Sequence, residues 1–234
     1  MHYPIPGSSP THVSPSMFRL ALAFGLLILC SRAHGEEPAA VTWQIDNLKS
    51  IGGQRVTVVG QPRVIETDQG KAVEFNGKSD ALFVDANPLA GWKEFTAEVI
   101  FKPAAKGPKE QRFLHFQPAE GEDRLLFETR LPVDDRWFLD TYVQTAAGQQ
   151  TLFAKDSLHP CDRWHHAAVV VDGKTMRHFV NGREELTAEM KFTPLGKGQT
   201  SIGCRFNKVH WFQGAMRLIR VSPTILKPEQ FLKP

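Results

Sequence analysis

Residues 162–185 constrain the fold of this chain more than any other part of its sequence. Two runs rich in apolar and β-branched residues, His165–Val171 and Thr175–Val180, flank Asp172-Gly173. Asp-Gly between such runs is typical of a tight β-hairpin, because both central residues tolerate a positive φ. A second reversal follows at Asn181-Gly182. The sequence here therefore predicts a β-meander, onto which strands from the rest of the chain can assemble.

The alternation of short strands and turns continues on both sides of this meander. Residues 71–75 alternate in polarity and then meet Asn76-Gly77, and residues 95–101 place Phe95, Ala97, Val99 and Phe101 on one face. Strands of this length between Gly, Asn and Asp turns are typical of an all-β sandwich. Outside the N-terminal apolar run, the sequence has no helix-period segment of useful length. We therefore predict an antiparallel two-sheet β-sandwich.

Several of these segments also resemble a known family. The central motifs of laminin-G-like, concanavalin A-like lectin/glucanase jelly-roll domains are similar to Trp164-His165-His166, Asp172-Gly173 and Val180-Asn181-Gly182. Segments 72–77 and 95–103 resemble the early strands of that family, and segments 201–203 and 212–217 resemble its closing strands. The resemblance covers residues 43–231 and implies a jelly roll of the kind found in exported bacterial proteins.

The N-terminal residues predict export. Met17 is followed by Arg19 and by an uninterrupted apolar run at 20–29. Ala33-His34-Gly35 then places small residues where a signal peptidase cleaves. The apolar run is short for a transmembrane helix, so the predicted link to a membrane is this segment alone, if it stays uncleaved.

These features predict one domain behind a removable N-terminus. We interpret residues 1–35 as an extension plus a secretory signal peptide, with Met1 or Met17 as the start. Residues 36–42 are a short leader, and residues 43–234 are the jelly-roll domain. The predicted location after cleavage near Gly35 is outside the cell, in the periplasm or in the cell envelope. The whole chain carries a net charge of +3, and cleavage removes two arginines, so the mature surface gives no argument for a nucleic-acid partner.

Aromatic and polar residues near predicted strand ends indicate a surface for a glycan. A sugar ring packs its C–H groups on a flat aromatic face, and polar groups beside that face bind its hydroxyls. The candidate rings are Trp92, Trp137 and Trp211. The candidate polar contacts are Arg112, Gln117, Arg130, Asp140 and Gln144.

The family resemblance also implies that calcium can bind at a loop rim, and no other cofactor is predicted. Calcium takes six or more oxygen ligands, for which Asn76, Asp80 and Asp85 are the candidates. Where related domains often close with Gly-x-Ile-Asp, this chain has Gly-Ala-Met-Arg at 214–217, so a cation stands in place of a carboxylate. This departure favours pairing of Arg217 with an acid such as Glu98.

Histidine and cysteine residues leave two interpretations open. His165 and His166 are adjacent on a strand and point to opposite faces, so they cannot easily share one metal ion. We expect structural roles for both, and His178 on the next strand can face either of them. Cys161 and Cys204 form either a disulfide or two separate buried thiols, because sequence does not fix the distance between them.

Three functions from different classes follow from this reading. The first is a module that binds a glycan, or an extracellular or envelope protein, at the concave sheet face or loop rim. The second is a polysaccharide-degrading enzyme, either a glycoside hydrolase with two facing carboxylates or a lyase that uses Tyr142, His115 and Arg130. The third is a structural or adhesion component of the envelope. The sequence lacks the carboxylate triplet of hydrolases with this fold, which ranks binding first, whereas a carboxylate pair in the sheet groove favours the enzyme.

Overall fold

The computed structural model describes residues 39–234, and the predicted extension and signal peptide at 1–35 lie outside the described residues. The described part consists of strands, loops and a 3-10 turn, Pro228–Gln230. No helix within it is long and apolar enough to cross a membrane. The strands are β1 (Val41–Gln44), β2 (Ser50–Ile51), β3 (Gln54–Val59), β4 (Arg63–Thr67), β5 (Gly70–Asn76), β6 (Ala81–Val84), β7 (Phe95–Pro103), β8 (Glu110–Pro118), β9 (Arg124–Val133), β10 (Arg136–Thr145), β11 (Gly148–Phe153), β12 (His159–Pro160), β13 (His165–Val171), β14 (Thr175–Val180), β15 (Arg183–Glu189), β16 (Gly198–Ile202) and β17 (Gln213–Ser222).

One sheet, called the back sheet here, has the strand order β15-β14-β13-β7-β17-β5-β4, with β1 also paired to β17. The predicted meander forms its first three strands. At the first turn, the Asp172 carboxylate accepts hydrogen bonds from the backbone N–H groups of Lys174 and Thr175, at 3.0 and 2.7 Å. At the second turn, Asn181 adopts a φ of 50°, as an asparagine can without a large penalty. Turn chemistry therefore sets the local path of this sheet.

The other sheet, called the front sheet, has the order β11-β10-β9-β8-β16-β6-β3-β2, with β12 beside β10. All pairings in both sheets are antiparallel. The loop between β7 and β8 covers residues 104–109, because β7 continues to Pro103 and β8 begins at Glu110. The predicted fold class, an antiparallel two-sheet sandwich, is confirmed.

The core lies between the two sheets and follows the predicted alternation. Phe95, Ala97, Val99 and Phe101 of β7 all belong to the buried apolar cluster. The ring of Phe101 stacks on that of Phe113 from the front sheet, with centroids 4.4 Å apart and planes 13° apart. Such contacts join the sheets through close aromatic packing.

The C-terminal segment 223–232 covers the outer face of the back sheet. Phe231 packs there in an apolar cluster with Ala168, Val170 and Phe179. The Thr96 hydroxyl donates to the Thr224 carbonyl at 2.8 Å and accepts from the Leu226 N–H at 2.9 Å. The C-terminal cover lies over β7, β13 and β14, whereas β4 and β5 of the back sheet, like the front sheet, keep an open outer face.

Glu98 in β7 binds the C-terminal cover to the back sheet. Its side chain is fully buried and accepts hydrogen bonds from Arg220 Nε at 2.5 Å and the Leu232 N–H at 2.8 Å. His166 Nε2 lies 3.1 Å from the same carboxylate. Burial alone raises the pKa of Glu98, but the hydrogen bonds from His166 and Arg220 outweigh it and hold the pKa below its usual value.

The predicted pairing of Glu98 with Arg217 is wrong. Glu98 lies opposite Arg220 in the register of β7 and β17. The register shifts between Met216 and Leu218, so Arg217 sits at an irregularity of β17 and has no place opposite a β7 residue.

Candidate functional site

The outer face of the front sheet carries the polar side chains of its middle strands. Successive side chains of a strand point to opposite faces. In β9, Leu125 and Phe127 belong to the core, whereas Glu128 and Arg130 line a depression on the outer face. In β10, Asp140 lies on that same outer face. Alternation therefore places charged groups of neighbouring strands side by side on an open surface.

An aromatic depression of about 570 Å³ lies over β8 and β16 on this face. Phe206 lines it, and the Phe206 ring packs against Phe83 and His115, with centroid separations of 5.3 and 4.8 Å. The same depression is lined by Asp85, Gln117, Pro118, Ala119, Gly198 and Gln199. Gln199 donates its side-chain amide to Asp85 at 2.8 Å. The depression thus combines a half-buried aromatic ring with a carboxylate and two amides.

A smaller charged depression of about 190 Å³ lies on the other side of residues 205 and 206. The Glu128 carboxylate joins two arginines there, because it accepts hydrogen bonds from Arg112 Nε at 2.9 Å and from Arg130 Nη2 at 3.1 Å. Arg130 Nε also donates to Asp140 at 2.9 Å. Glu128 and Asp140 are opposite each other in the register of β9 and β10. We call Arg112, Glu128, Arg130 and Asp140 the ion network.

Asp140 is the least satisfied acid of the ion network. Its Oδ1 atom is buried and has no hydrogen-bond partner among residues 39–234. Burial and the neighbouring charge of Glu128 together outweigh Arg130 and raise the pKa of Asp140 to about 6. A carboxyl group with such a pKa exchanges its proton near neutral pH.

His115 lies under the aromatic depression as a neutral imidazole. The Phe206 backbone N–H donates to His115 Nδ1 at 3.4 Å, so the ring carries its own hydrogen on Nε2. Within the described part of the chain, His115 Nε2 is buried and lacks a partner. Burial, with the cationic neighbours Arg205, Arg124 and Arg112, lowers the pKa of His115 to about 3.

The structure brings five of the eight sequence-predicted binding residues onto this face. Arg112, Arg130 and Asp140 form part of the ion network. Gln117 lines the aromatic depression. Gln144 accepts a hydrogen bond from the Tyr142 hydroxyl at 2.7 Å, beside the charged depression that Tyr142 lines.

The three predicted tryptophans do not join them. Trp137 is fully buried, because it shares the inward face of β10 with Leu139 and Val143, so its ring offers no surface to a ligand. Trp92 is half-buried and packs against the core. Trp211 is also half-buried, and among the described residues neither Trp92 nor Trp211 lines the two depressions on the front sheet.

Sequence reasoning missed Phe206, Arg205 and Arg124. β16 ends at Ile202, so the side-chain directions of residues 205 and 206 follow a turn and not the alternation of a strand. Arg124 could have been found, because it alternates in β9 with Leu126, Glu128 and Arg130 and so shares their face.

The three predicted calcium ligands do not converge in the structure. Asp80 is buried and accepts from the backbone N–H groups of Gln61 and Asn76, at 2.9 and 3.2 Å. Asp85 lies instead in the front sheet's depression, where Arg55 donates to it at 2.7 Å. Residues 39–234 hold no group of three or more His, Cys, Asp or Glu side chains that could bind a metal ion. Asn76 and Asp80 shape a turn, and Asp85 binds neighbouring side chains.

Cys161 and Cys204 are both buried and unbridged in the described domain. Cys161 follows β12, which pairs with β10, whereas Cys204 follows β16. The strands β10, β9 and β8 separate β12 from β16. At about 4.8 Å per strand the two cysteines are roughly 19 Å apart, far beyond the reach of a disulfide. Of the two interpretations, the structure therefore has separate buried thiols.

The histidines have structural contacts, as expected. His165 faces the core, where its ring centroid lies 5.1 Å from that of Trp137 and its Nε2 lies 2.9 Å from the Pro160 carbonyl oxygen. His166 faces the opposite side and contacts Glu98. His178 faces inward, with its Nδ1 3.0 Å from the Thr141 hydroxyl.

This architecture defines a lectin-like jelly roll with an open, polar front sheet. A laminin-G family model, described as the concanavalin A-like lectin/glucanases superfamily, matches residues 76–230, and the chain belongs to this family. No curated protein matches the chain.

Solved structures have the same fold. One is domain 4 of AbnA, a GH43 extracellular arabinanase from Geobacillus stearothermophilus in complex with arabinotriose, with a TM-score of 0.60 at 18% identity over 82% of this chain and 95% of that domain. Another is the binding domain of botulinum neurotoxin DC in complex with SialylT, with a TM-score of 0.59 at 10% identity over 82% of this chain and 49% of that one. The binding domain of Paraclostridial Mosquitocidal Protein 1 has a TM-score of 0.59 at 12% identity, over 82% of this chain and 50% of that one. At these identities the likeness establishes the fold alone.

Proposed function

We propose that this protein is a glycan-binding module and that its site is the aromatic depression of the front sheet. The observation that carries the proposal is the half-buried ring of Phe206 beside Asp85, Gln117 and Gln199. An aromatic face accepts the C–H groups of a sugar, and the carboxylate and amides can bind its hydroxyls.

Two further observations support this site. The C-terminal cover occupies the outer face of the back sheet over β13 and β14, whereas the outer face of the front sheet is free of it. The arabinanase domain of the same fold is in complex with arabinotriose, which gives a precedent for an oligosaccharide on this scaffold. An exported location, outside the cell or in its envelope, fits this function because polysaccharides occur there, and the sequence of residues 17–35 supports it.

The test is a binding measurement with one paired substitution. Calorimetric titration with arabinan, xylan, dextran and polygalacturonate measures the affinity of the protein and of its F206A variant. We expect F206A to weaken binding by about tenfold or more, which corresponds to about 1.4 kcal/mol. The matched control is F153A, because Phe153 is an exposed ring, 47% accessible, that lines neither depression among the described residues.

Equal affinity of F206A and the unchanged protein overturns the proposed site. If none of the four polysaccharides binds while the protein is folded, the glycan-binding proposal itself fails for these classes. In that case the envelope-protein and adhesion alternatives take its place.

A second candidate function, glycoside hydrolysis, is favoured by one observation. Glu128 and Asp140 are a carboxylate pair in the groove, and the pKa of Asp140 is raised to about 6 by burial and by Glu128, as a general acid requires. Against this function, Arg112 and Arg130 occupy oxygen atoms of both carboxylates. Release of reducing ends from any of the four polysaccharides, abolished in E128Q and D140N, would establish hydrolysis in place of binding alone.

A further inference from the structure

Three arginines lie together at the junction of the two depressions. Arg112 and Arg124 line the charged depression with Arg205, and the next residue, Phe206, lines the aromatic one. The guanidinium of Arg124 lies over the ring of Tyr142, 5.0 Å from its centroid. We call Arg112, Arg124 and Arg205 the arginine cluster.

The charge of this cluster is only partly compensated. Arg112 shares Glu128 with Arg130. Arg124 pairs with Glu122, whose side chain is 80% exposed, so solvent weakens that pair. Arg205 takes part in none of the ion pairs within the described residues.

Buried donors at the same place also lack acceptors. Arg124 Nε is buried and has no hydrogen-bond partner in the described structure, and the same holds for Nε2 of the fully buried His115. An unpaired buried donor costs free energy that a bound acceptor can recover. The arginine cluster therefore holds donors without acceptors, whereas Asp140 Oδ1, in the ion network of the same depression, is an acceptor without a donor.

The positive charge of the arginine cluster acts on two neighbouring groups, Arg205 and His115. Burial, together with Arg124 and Arg112, lowers the pKa of Arg205. The three arginines also contribute to the low pKa of His115, after its burial. A ligand that brings negative charge relieves this repulsion, whereas a neutral ligand does not.

We propose that the glycan bound here is acidic, with an anionic group on one sugar residue bound by Arg124 and Arg205 while an adjoining part of the glycan packs on Phe206. This inference rests on the proposed function, because it names the ligand class of that site. A uronate carboxylate and a sulfate ester are two sources of the same chemistry, since a guanidinium binds either group through two parallel N–H···O bonds.

The test compares matched pairs of polysaccharides that differ in charge. One pair is polygalacturonate as the free acid and as its methyl ester, and the other is dextran sulfate and dextran. We expect at least one acidic member to bind at least about tenfold more tightly than its neutral partner, because charge-assisted hydrogen bonds are stronger than neutral ones. The preference should weaken as salt is added. Tighter binding of polygalacturonate identifies a carboxylate, and tighter binding of dextran sulfate identifies a sulfate.

Substitutions locate the preference on the protein. In R205M the ratio of affinities for the acidic and neutral members of a pair should fall by about tenfold. R205K should retain part of that ratio, because it keeps the positive charge but loses the paired N–H donors of the guanidinium. The matched control is R63M, because Arg63 lies at the other sheet, exposed and paired with Glu74. Thermal unfolding of each variant confirms that it is folded.

The outcomes separate this inference from the proposed function. If neither acidic member binds more tightly than its neutral partner and F206A weakens the binding of both, the module binds glycans but the acidic preference is wrong. If the preference exists but R205M leaves it unchanged, the arginine cluster is not its source and the inference fails. If no member of either pair binds, both the inference and the proposed function fail for these ligands.

Discussion

Removing Arg220 tests how the C-terminal cover is held. In R220M the Glu98 carboxylate stays fully buried but loses its guanidinium partner, while the Leu232 N–H and His166 remain. Breaking a buried ion pair from one side costs about 3–5 kcal/mol, because an uncompensated charge is left behind. The Arg220 side chain is 22% exposed, so water can partly replace it, and we expect the lower end, about 3 kcal/mol.

The pH dependence of this loss follows from the sign of the Glu98 shift. The pKa of Glu98 is held below its usual value, so its contribution to stability is present above its unfolded pKa of 4.5 and disappears as pH falls through the folded pKa. The deficit of R220M should therefore be largest at neutral pH and should shrink at acid pH, where Glu98 becomes protonated. Urea unfolding followed by tryptophan fluorescence, at neutral and acid pH, measures both effects.

The matched control is R63M. Arg63 pairs with Glu74 at the surface, with side-chain exposures of 75% and 38%, and such pairs contribute about 0–1 kcal/mol. If R220M and R63M lose the same small amount of stability, or if the R220M deficit is constant across pH, the account of a buried, charge-paired Glu98 is wrong.

Other measurements test different parts of the sandwich. Burial lowers the pKa of both His165 and His178 to about 4, so the fold opposes protonation of each ring. The stability that each contributes above pH 6.5, roughly 3 kcal/mol, should be lost as the pH falls to 4. The urea midpoints of H165Q and H178Q should therefore depend less on pH than that of the unchanged protein. Gly203 has a φ of +96° and an added Cβ would lie 2.6 Å from a core phenylalanine ring, so G203A should lower the unfolding free energy by about 3 kcal/mol in chemical denaturation. Burial raises the pKa of Cys161 and Cys204 to about 11, so neither thiol should react with an alkylating reagent until urea unfolds the protein. Because the two cysteines are not bridged, a reductant should leave the thermal midpoint unchanged. Rapid labelling of either cysteine in the folded protein would contradict the burial.

Local chemistry explains why most strands could be predicted. Asp172-Gly173 and Asn181-Gly182 specify their own turns, so β13, β14 and β15 could be placed from a few adjacent residues. The assignment of strands to sheets could not be read in the same way. β7 and β17 are more than a hundred residues apart, and only packing of the whole sandwich brings them together.

The same contrast holds for the candidate site, where residues within a strand could be placed from sequence and a residue in a turn could not. Asp140 and Gln144 alternate with Trp137 and Leu139 in β10, so the pattern that places Asp140 on the outer face also places Trp137 in the core. The error at Trp137 was therefore avoidable from sequence. Phe206 differs, because it lies in a turn and its position depends on contacts with residues that are distant in sequence.

The position of β17 has a consequence for how the protein is made. This final strand of the sandwich lies between β7 and β5 and also pairs with β1. Residues up to 222 must therefore be in place before the back sheet can close, and until then the chain exposes unpaired strand edges that favour aggregation. Closing loops of this length slows folding. Protection of the unfolded chain until its last strand is in place would therefore limit aggregation of this domain.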